Sequence, residues 1–283
     1  MISLKKDLKS LIKENIYLLI PFILYGIYKN GYLIYQKNLI SFIKVLKPFY
    51  LCIIGIVIKI VIDLIKYKKI NFDYSIIYVI LLSMIMPYNI NYLIYIFLLS
   101  ILLFLSTYIK NIKINKICLI YLIIILINGL VGEFTFLNPM ENKFVYNFEF
   151  LDYLFGRNIG GISSTSIILS LISFAYLLNN FYYKKDIPFI INLTYLICAF
   201  LYFIITNNVS LLLNSELIFA SVFIAPLPEF SPYKKEHQII YAILIGITSF
   251  MISLFLNKVI AIYISIFLVS FINLLSLRQN MTK

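Results

Sequence analysis

The chain has 283 residues, of which 62% are hydrophobic and only 13% charged, and its mean hydropathy is +0.97. A water-soluble domain needs far more charge on its surface than this, so a soluble fold is excluded. The formal net charge of +12 is embedded in apolar runs that fill nearly the whole length, so it is read as membrane topology and not as a nucleic-acid footprint.

A bilayer core of roughly 30 Å takes about 20 apolar residues per helix. Runs of that kind recur from Ile16 to Leu275 and predict about ten spans, at 16–35, 48–66, 75–87, 91–109, 117–131, 162–180, 188–206, 210–226, 239–256 and 258–276. The expected fold class is therefore all-α, a polytopic helical membrane protein with one membrane domain over residues 1–283. The third and fifth runs are too short to cross alone and are expected to be half-helices buried among the others.

Before the first run stand Lys5, Lys6, Lys9 and Lys13, as in a secretory leader. The run is long and rich in Tyr, with no small-x-small cleavage site, so it reads as a retained first helix. In the second run Lys59 and Asp63 are one helical turn apart and can pair along one face inside the bundle. The alternative is that both lie near the end of the span and reach the interface beside Lys66.

If every run crosses and the amino terminus is cytoplasmic, the breaks alternate between two sides. Residues 1–15, 66–73, 110–116, 181–186, 229–237 and 277–283 hold 16 Lys/Arg, against 6 in the opposite breaks. That asymmetry predicts an even number of spans with both termini cytoplasmic, in a bacterial inner membrane. Lys37, Lys44 and Lys47, in the outer break at 36–47, run against it.

Cys52, Cys118 and Cys198 fall inside apolar runs with no CxxC pair, as small lipid- or helix-facing residues do. A single histidine, His237, excludes a bis-histidine haem within one chain. The longest break, 132–160, carries Glu133, Glu141, Glu149 and Asp152 against Lys143 and Arg157. Five of the nine glycines lie between 129 and 161, and three of the eight prolines, Pro226, Pro228 and Pro232, fall within seven residues.

Three places carry candidate chemistry. Gly160-Gly161-Ile162-Ser163-Ser164-Thr165-Ser166 opens an apolar run with two glycines and four hydroxyl residues. Such a segment either presents free N–H groups to a phosphate or another anion, or is a Ser/Thr-capped membrane helix with glycines for close packing. Glu216, in Asn214-Ser215-Glu216, is either a cation or proton site within the bundle or a carboxylate at the interface. Thr135 follows the fifth run and by itself is a loop threonine.

Taken together these segments resemble the membrane protein family that includes the D subunit of the Rnf ion-translocating electron-transport complex and the B subunit of the sodium-pumping NADH:quinone reductase. Leu19-Ile20-Pro21-Phe22, Tyr25-Gly26 and Gly31 are similar to the family's first helix. The Gly160 to Ser166 segment resembles its Gly-Ser-Ile-Gly-Glu-Thr-Ser, and Tyr176-Leu177-Leu178 follows at the family's distance. Ala225-Pro226-Leu227-Pro228-Glu229-Phe230-Ser231-Pro232 is similar to Ala-Thr-Asp-Pro-Val-Thr-Ser-Pro, with Ile239-Ile240-Tyr241-Ala242-Ile243-Leu244-Ile245-Gly246 after it.

The resemblance implies a protein that sits with other membrane subunits in an electron-transport complex and binds flavin mononucleotide (FMN), held in the family through its phosphate by an outer threonine in Asp-x-x-Ser/Thr-Gly-Ala-Thr. The corresponding region here is Asn128-Gly129-Leu130-Val131-Gly132-Glu133-Phe134-Thr135, with the threonine displaced by one residue and the Asp and Ala missing. Thr135 is the candidate anchor, and Gly160, Gly161, Thr165 and Ser166 are the other candidate cofactor-binding residues. The family's two membrane carboxylates are replaced by Ser164 and Leu227, which removes the usual ligand of a translocated cation. Glu229 is either a substitute or a cytoplasmic rim residue. The alternative function is a solute permease or channel on the same helical fold without redox work. A membrane glycosyl polymerase ranks last, because its outer loop needs basic residues for a diphosphate and the loop here is acidic.

Overall fold

Apolar segments in lipid must satisfy every backbone N–H and C=O internally, which leaves helices as the economical solution for runs this long. The computed structural model describes residues 2–36, 40–108, 114–131, 150–207 and 209–281 and, among them, is all-helical. Helix α1 (Ile2–Gly26) continues through a π-helical turn, Ile27–Tyr32, into α2 (Leu33–Gln36). Next come α3 (Phe42–Val45), α4 (Lys47–Tyr67), α5 (Ser75–Ile85), α6 (Tyr92–Tyr108) and α7 (Lys116–Val131). The remainder is α8 (Phe150–Phe155), α9 (Ile167–Leu177), α10 (Asp186–Thr206), α11 (Ser215–Phe223), α12 (Lys235–Phe255) and α13 (Lys258–Met281).

Four segments are long and apolar enough to cross a membrane unaided: Ser10–Gln36, Lys47–Tyr67, Asp186–Thr206 and Lys235–Phe255. The half-helices differ in part from those expected. The third run is one, since α5 has 11 residues, about 16 Å, and ends before Pro87. The fifth, α7, runs unbroken for 16 residues, about 24 Å, and likewise falls short of the length that crosses unaided. The sixth and eighth runs, expected to cross as helices, are broken. Residues 156–166 are irregular ahead of the 11-residue α9, and α11 has only 9 residues before the chain turns at Ile224.

Contacts at helix ends give each element its direction. The Lys47 ammonium, at the start of α4, donates to the Tyr88 and Ile90 carbonyls and lies 4.9 Å from the Tyr92 ring, at the start of α6. At the far ends of the same helices, Lys66 Nζ donates to the Thr107 carbonyl at 2.6 Å. Helices α4 and α6 are therefore parallel, with α5 and its non-helical tail crossing back between them. The second half repeats the device on the other side. Lys184, just before α10, donates to the Ser231 carbonyl at 3.0 Å, in the tail of α11 before α12 starts. Asn214, at the start of α11, donates to the Lys258 carbonyl at the start of α13. Asn180 beside the end of α9 bonds Glu14, midway along α1, while Gly26 at the end of α1 lies against Ser163, ahead of α9. The succession α1, α4, α5, α6, α7 thus recurs as α9 to α13 with every direction reversed. Helices α7 and α13 meet antiparallel, the Tyr121 and Tyr263 rings 4.5 Å apart and the Asn115 N–H on the Ser270 hydroxyl at 3.1 Å.

Lys47 therefore caps carbonyls inside the protein, which is why it runs against the charge count. Lys59 and Asp63 pair along one face, each side chain 2% exposed, at the end of α4 where Lys59 also lies 3.7 Å from the half-exposed Asp73. Helix α4 ends on Lys68 in the left-handed region (φ 53°), and the chain folds back so that Asn71 covers the pair. Lys59 donates to the Asn71 carbonyl, and the Asn71 N–H donates to Asp63 Oδ2 at 2.9 Å.

Candidate functional site

An α-helix turns 100° per residue and buries one residue in three or four against a neighbour, whereas a π turn inserts an extra residue and widens the buried face. In the turn Ile27–Tyr32, three consecutive residues, Lys29, Asn30 and Gly31, are buried. Asn30 Nδ2 donates to the Ile162 carbonyl at 2.5 Å, and Lys29 Nζ donates to Thr165 Oγ1 at 2.8 Å. Lys29 is 0% exposed, which makes it an ammonium wholly removed from solvent. Gly26, one turn earlier, lets the helix approach this closely, since a Cβ there would strike the Ser163 side chain.

The segment met by these residues, 156–166, is non-helical because its sequence prevents a helix. Gly156 has φ +81°, open to glycine and strained for other residues. A Cβ on Gly161 would press on the Ile85 backbone, and one on Gly160 would meet the Glu216 carboxylate. Freed from helix, the segment bonds the end of α5 edge to edge: the Ile162 N–H donates to Met86 O at 2.9 Å and the Ser163 N–H to Met84 O at 3.0 Å. These bonds satisfy carbonyls that the early end of α5 would leave unpaired in a dry interior. Ser166 then caps α9, its hydroxyl accepting from the Leu169 N–H.

Helix α11 brings the negative charge. Asn214 caps it through the Leu217 N–H, and Glu216 stands in its first turn, where the helix dipole favours a carboxylate. Glu216 is 1% exposed and so lies inside the protein. Its Oε1 accepts from the Gly161 N–H at 2.8 Å and from Ser164 Oγ at 2.7 Å; its Oε2 accepts from the Tyr263 hydroxyl at 2.5 Å. Asn158 Nδ2 donates to Ser215 Oγ alongside, at 2.8 Å. Thr165, neighbour to Ser164, accepts from Lys29 and donates to the Gly156 carbonyl at 2.7 Å. Lys29 and Glu216 thus meet the same segment at adjacent hydroxyl residues, Lys29 at Thr165 and Glu216 at Ser164.

Of the residues singled out in the sequence, Gly160, Gly161, Thr165 and Ser166 come together here, while Thr135 lies outside the described residues. The anion that the glycine and hydroxyl segment meets is the chain's own Glu216 carboxylate. A flavin phosphate does not fit at the same place: the Gly161 N–H and Ser164 hydroxyl already serve Glu216, and a second anion would face that carboxylate at close range. Lys29 was not legible as a site residue, though a lysine followed by Asn-Gly inside an apolar run is a signal that could have found it. Leu227, where the resemblance expects an aspartate, is buried and apolar, and Glu229 is an exposed rim residue. Glu229 acts on Tyr74, whose phenol is pushed up chiefly by burial.

A family model described as the NQR2, RnfD, RnfE family matches residues 103–276, well over half of the chain. The match takes in α7 to α13, and hence the Gly160 to Ser166 segment, Glu216 and Tyr263, while Lys29 lies outside it. A comparison with curated proteins finds no match.

Proposed function

The chain belongs to the NQR2, RnfD, RnfE family, membrane proteins of ion-translocating electron-transport complexes, and from that premise we propose that it is an RnfD-like scaffold of such a complex whose Glu216 site takes part in ion coupling. The observation that carries the reading is the buried carboxylate. Where the resemblance expects a glutamate at position 164 the chain has serine, and that serine donates to a carboxylate supplied by α11. The site therefore keeps a negative charge at the crossing of three broken segments, brought in from another element. Desolvated carboxylates at discontinuous helices are where membrane transporters handle cations and protons.

On the count of basic residues, both termini face the cytoplasm of a bacterial cell, and the Thr135 loop faces outward. In that loop Thr135 is the proposed anchor of FMN. When bound, the flavin would supply the electron transfer, and the protein its position and a water-poor surrounding. Affinity purification of the full chain from its native membrane tests both parts. Redox subunits carrying flavin or iron–sulfur clusters are expected to co-purify, and the band on a denaturing gel is expected to fluoresce as flavin and to darken in Thr135→Ala. Purification without any redox partner overturns the complex, and a dark wild-type band overturns the covalent flavin.

A further inference from the structure

At the far end of α9 from Ser164 and Glu216 the bundle holds a second polar cavity. It has a volume of about 370 Å³, opens to the surface, and is lined by Ser10, Glu14, Tyr176, Asn179, Phe181 and Tyr182 beside Asn180. Two helix ends build it. Helix α9 stops at Leu177, and the chain turns as the Asn179 and Asn180 N–H groups donate to the Tyr176 and Leu177 carbonyls at 3.2 and 3.0 Å. The Asn180 side chain accepts from the Tyr182 N–H at 2.9 Å and donates to Glu14 Oε2 at 2.6 Å. The residue that shapes the turn therefore also fixes the carboxylate.

The chain carries 24 Lys and Arg against 12 Asp and Glu, yet among the described residues Glu14 bonds the neutral Asn180 amide and pairs with no basic side chain. Beside it the Phe181 and Tyr182 rings stand 5.6 Å apart and nearly perpendicular, at 84°. Phe181 is 92% exposed, a large apolar ring at the very rim. A carboxylate without a counter-charge, amide and hydroxyl oxygens and aromatic rings together make a receptor for an ammonium group. A primary ammonium has three N–H donors for the oxygens and a charge that an aromatic face attracts. An anion would face Glu14 instead.

The position of the cavity says what carries that ammonium. Ser10 opens the segment of α1 that is long and apolar enough to cross a membrane, so the cavity stands where hydrocarbon gives way to headgroups. From there α1 and α9 run antiparallel into the apolar layer, with Tyr17 on one and Ile172 and Tyr176 on the other exposed to lipid. Lys13 and Lys185 are exposed at the same end of the bundle, as partners for a phosphate. We propose that the cavity is a headgroup site for a membrane lipid of the phosphoethanolamine class. Glu14 takes the ammonium, the Phe181 and Tyr182 rings flank it, the phosphate faces the exposed lysines, and the acyl chains follow α1 and α9. Such a lipid bridges the first helix of one half of the protein to the first helix of the other, at a place independent of Glu216.

The test uses the purified full-length chain, stripped of lipid in mild detergent, and reads its heat-unfolding midpoint with added phosphatidylethanolamine, phosphatidylcholine or phosphatidylglycerol, or with soluble phosphoethanolamine. Phosphatidylethanolamine is expected to raise the midpoint by several degrees more than the other two lipids, as a ligand of the folded state does. Glu14→Gln keeps an acceptor for Asn180 and is expected to abolish that difference, and Phe181→Ala, at an exposed position, to reduce it. Equal rises with all three lipids overturn the proposal, as does a greater rise with phosphatidylglycerol, which has no ammonium. A phosphatidylethanolamine-specific rise that persists in E14Q overturns it too. A rise with soluble phosphoethanolamine and none with the lipid assigns the cavity to a free amine and overturns the lipid. Should E14Q not fold, F181A decides, and an undiminished specific rise in it counts against the site.

Discussion

Glu216→Gln removes the negative charge of the site and keeps a side chain of the same length. A glutamine oxygen in place of Oε1 still accepts from Gly161 and Ser164, and its amide can donate to the Tyr263 oxygen once that hydroxyl turns its proton away. The three bonds survive in kind and weaken, because bonds to a charged group are worth about 1.5–3 kcal/mol and neutral ones about 1. Lys29 is held to the same segment through Thr165 and makes no direct ion pair with Glu216, so the further loss on its side is on the order of 1–3 kcal/mol. Lys29→Met takes away the donor to Thr165 and should cost a similar amount. The double variant removes both charges and leaves a neutral cluster short of one hydrogen bond, at a cost on the order of 1 kcal/mol. The expected coupling between the two sites is therefore at least about 1 kcal/mol, beyond the ~0.5 kcal/mol scatter of independent sites. Heat unfolding of the four proteins in one detergent reads this directly. At about 2–4 °C per kcal/mol, each single variant should fall by roughly 2–12 °C and the double by only a few degrees. If the double variant falls by the sum of the singles, the two charges do not form one site and the reasoning fails.

Other expectations follow from neighbouring contacts. Ser164→Glu restores the glutamate that the resemblance expects but sets it against Glu216 Oε1; the single variant should be destabilised by several kcal/mol and S164E/E216Q should recover most of it, as thermal midpoints will show. Asp63→Asn leaves Lys59 with only Asp73, 3.7 Å away, as counter-charge and weakens the acceptor that holds Asn71; a loss of about 1–3 kcal/mol is expected, with faster proteolysis in the 68–74 connection. Lys47→Met takes away the donor to the Tyr88 and Ile90 carbonyls, for a cost of about 1–3 kcal/mol in the same unfolding assay.

The long spans can be read from the sequence because lipid demands length and hydropathy, and both are one-dimensional properties. The breaks in the sixth and eighth runs are hidden by the same measure. Ser163, Ser164, Thr165 and Ser166 are small and nearly neutral on a hydropathy scale, so 162–180 reads as continuous. Yet the first three bond outside the run, and the helix starts only after Ser166 caps it. Pro226 and Pro228 do mark a break, but they mark the tail of α11, and the nine-residue length of that helix is fixed by the loop before it, at 207–214. Lys59 and Asp63 can be paired from their spacing alone, since one helical turn decides it; their burial depends on Asn71 folding over them. Glu216 stands out in the sequence, but its depth cannot be read there, because nothing in one dimension says that Gly161, Ser164 and Tyr263 converge on it from 47 to 55 positions away.

The π turn at Ile27–Tyr32 makes the site a matter of register. One extra residue is taken up in that turn, so deleting a single residue there would let the helix run as a regular α-helix with Leu33–Gln36 still in phase. Lys29, Asn30 and Gly31 would no longer share one face, and the positive charge would leave the interior without any change in composition. A chain of this length could therefore gain or lose its internal cation by one codon of insertion or deletion, a far smaller step than redesigning the carboxylate site at Glu216.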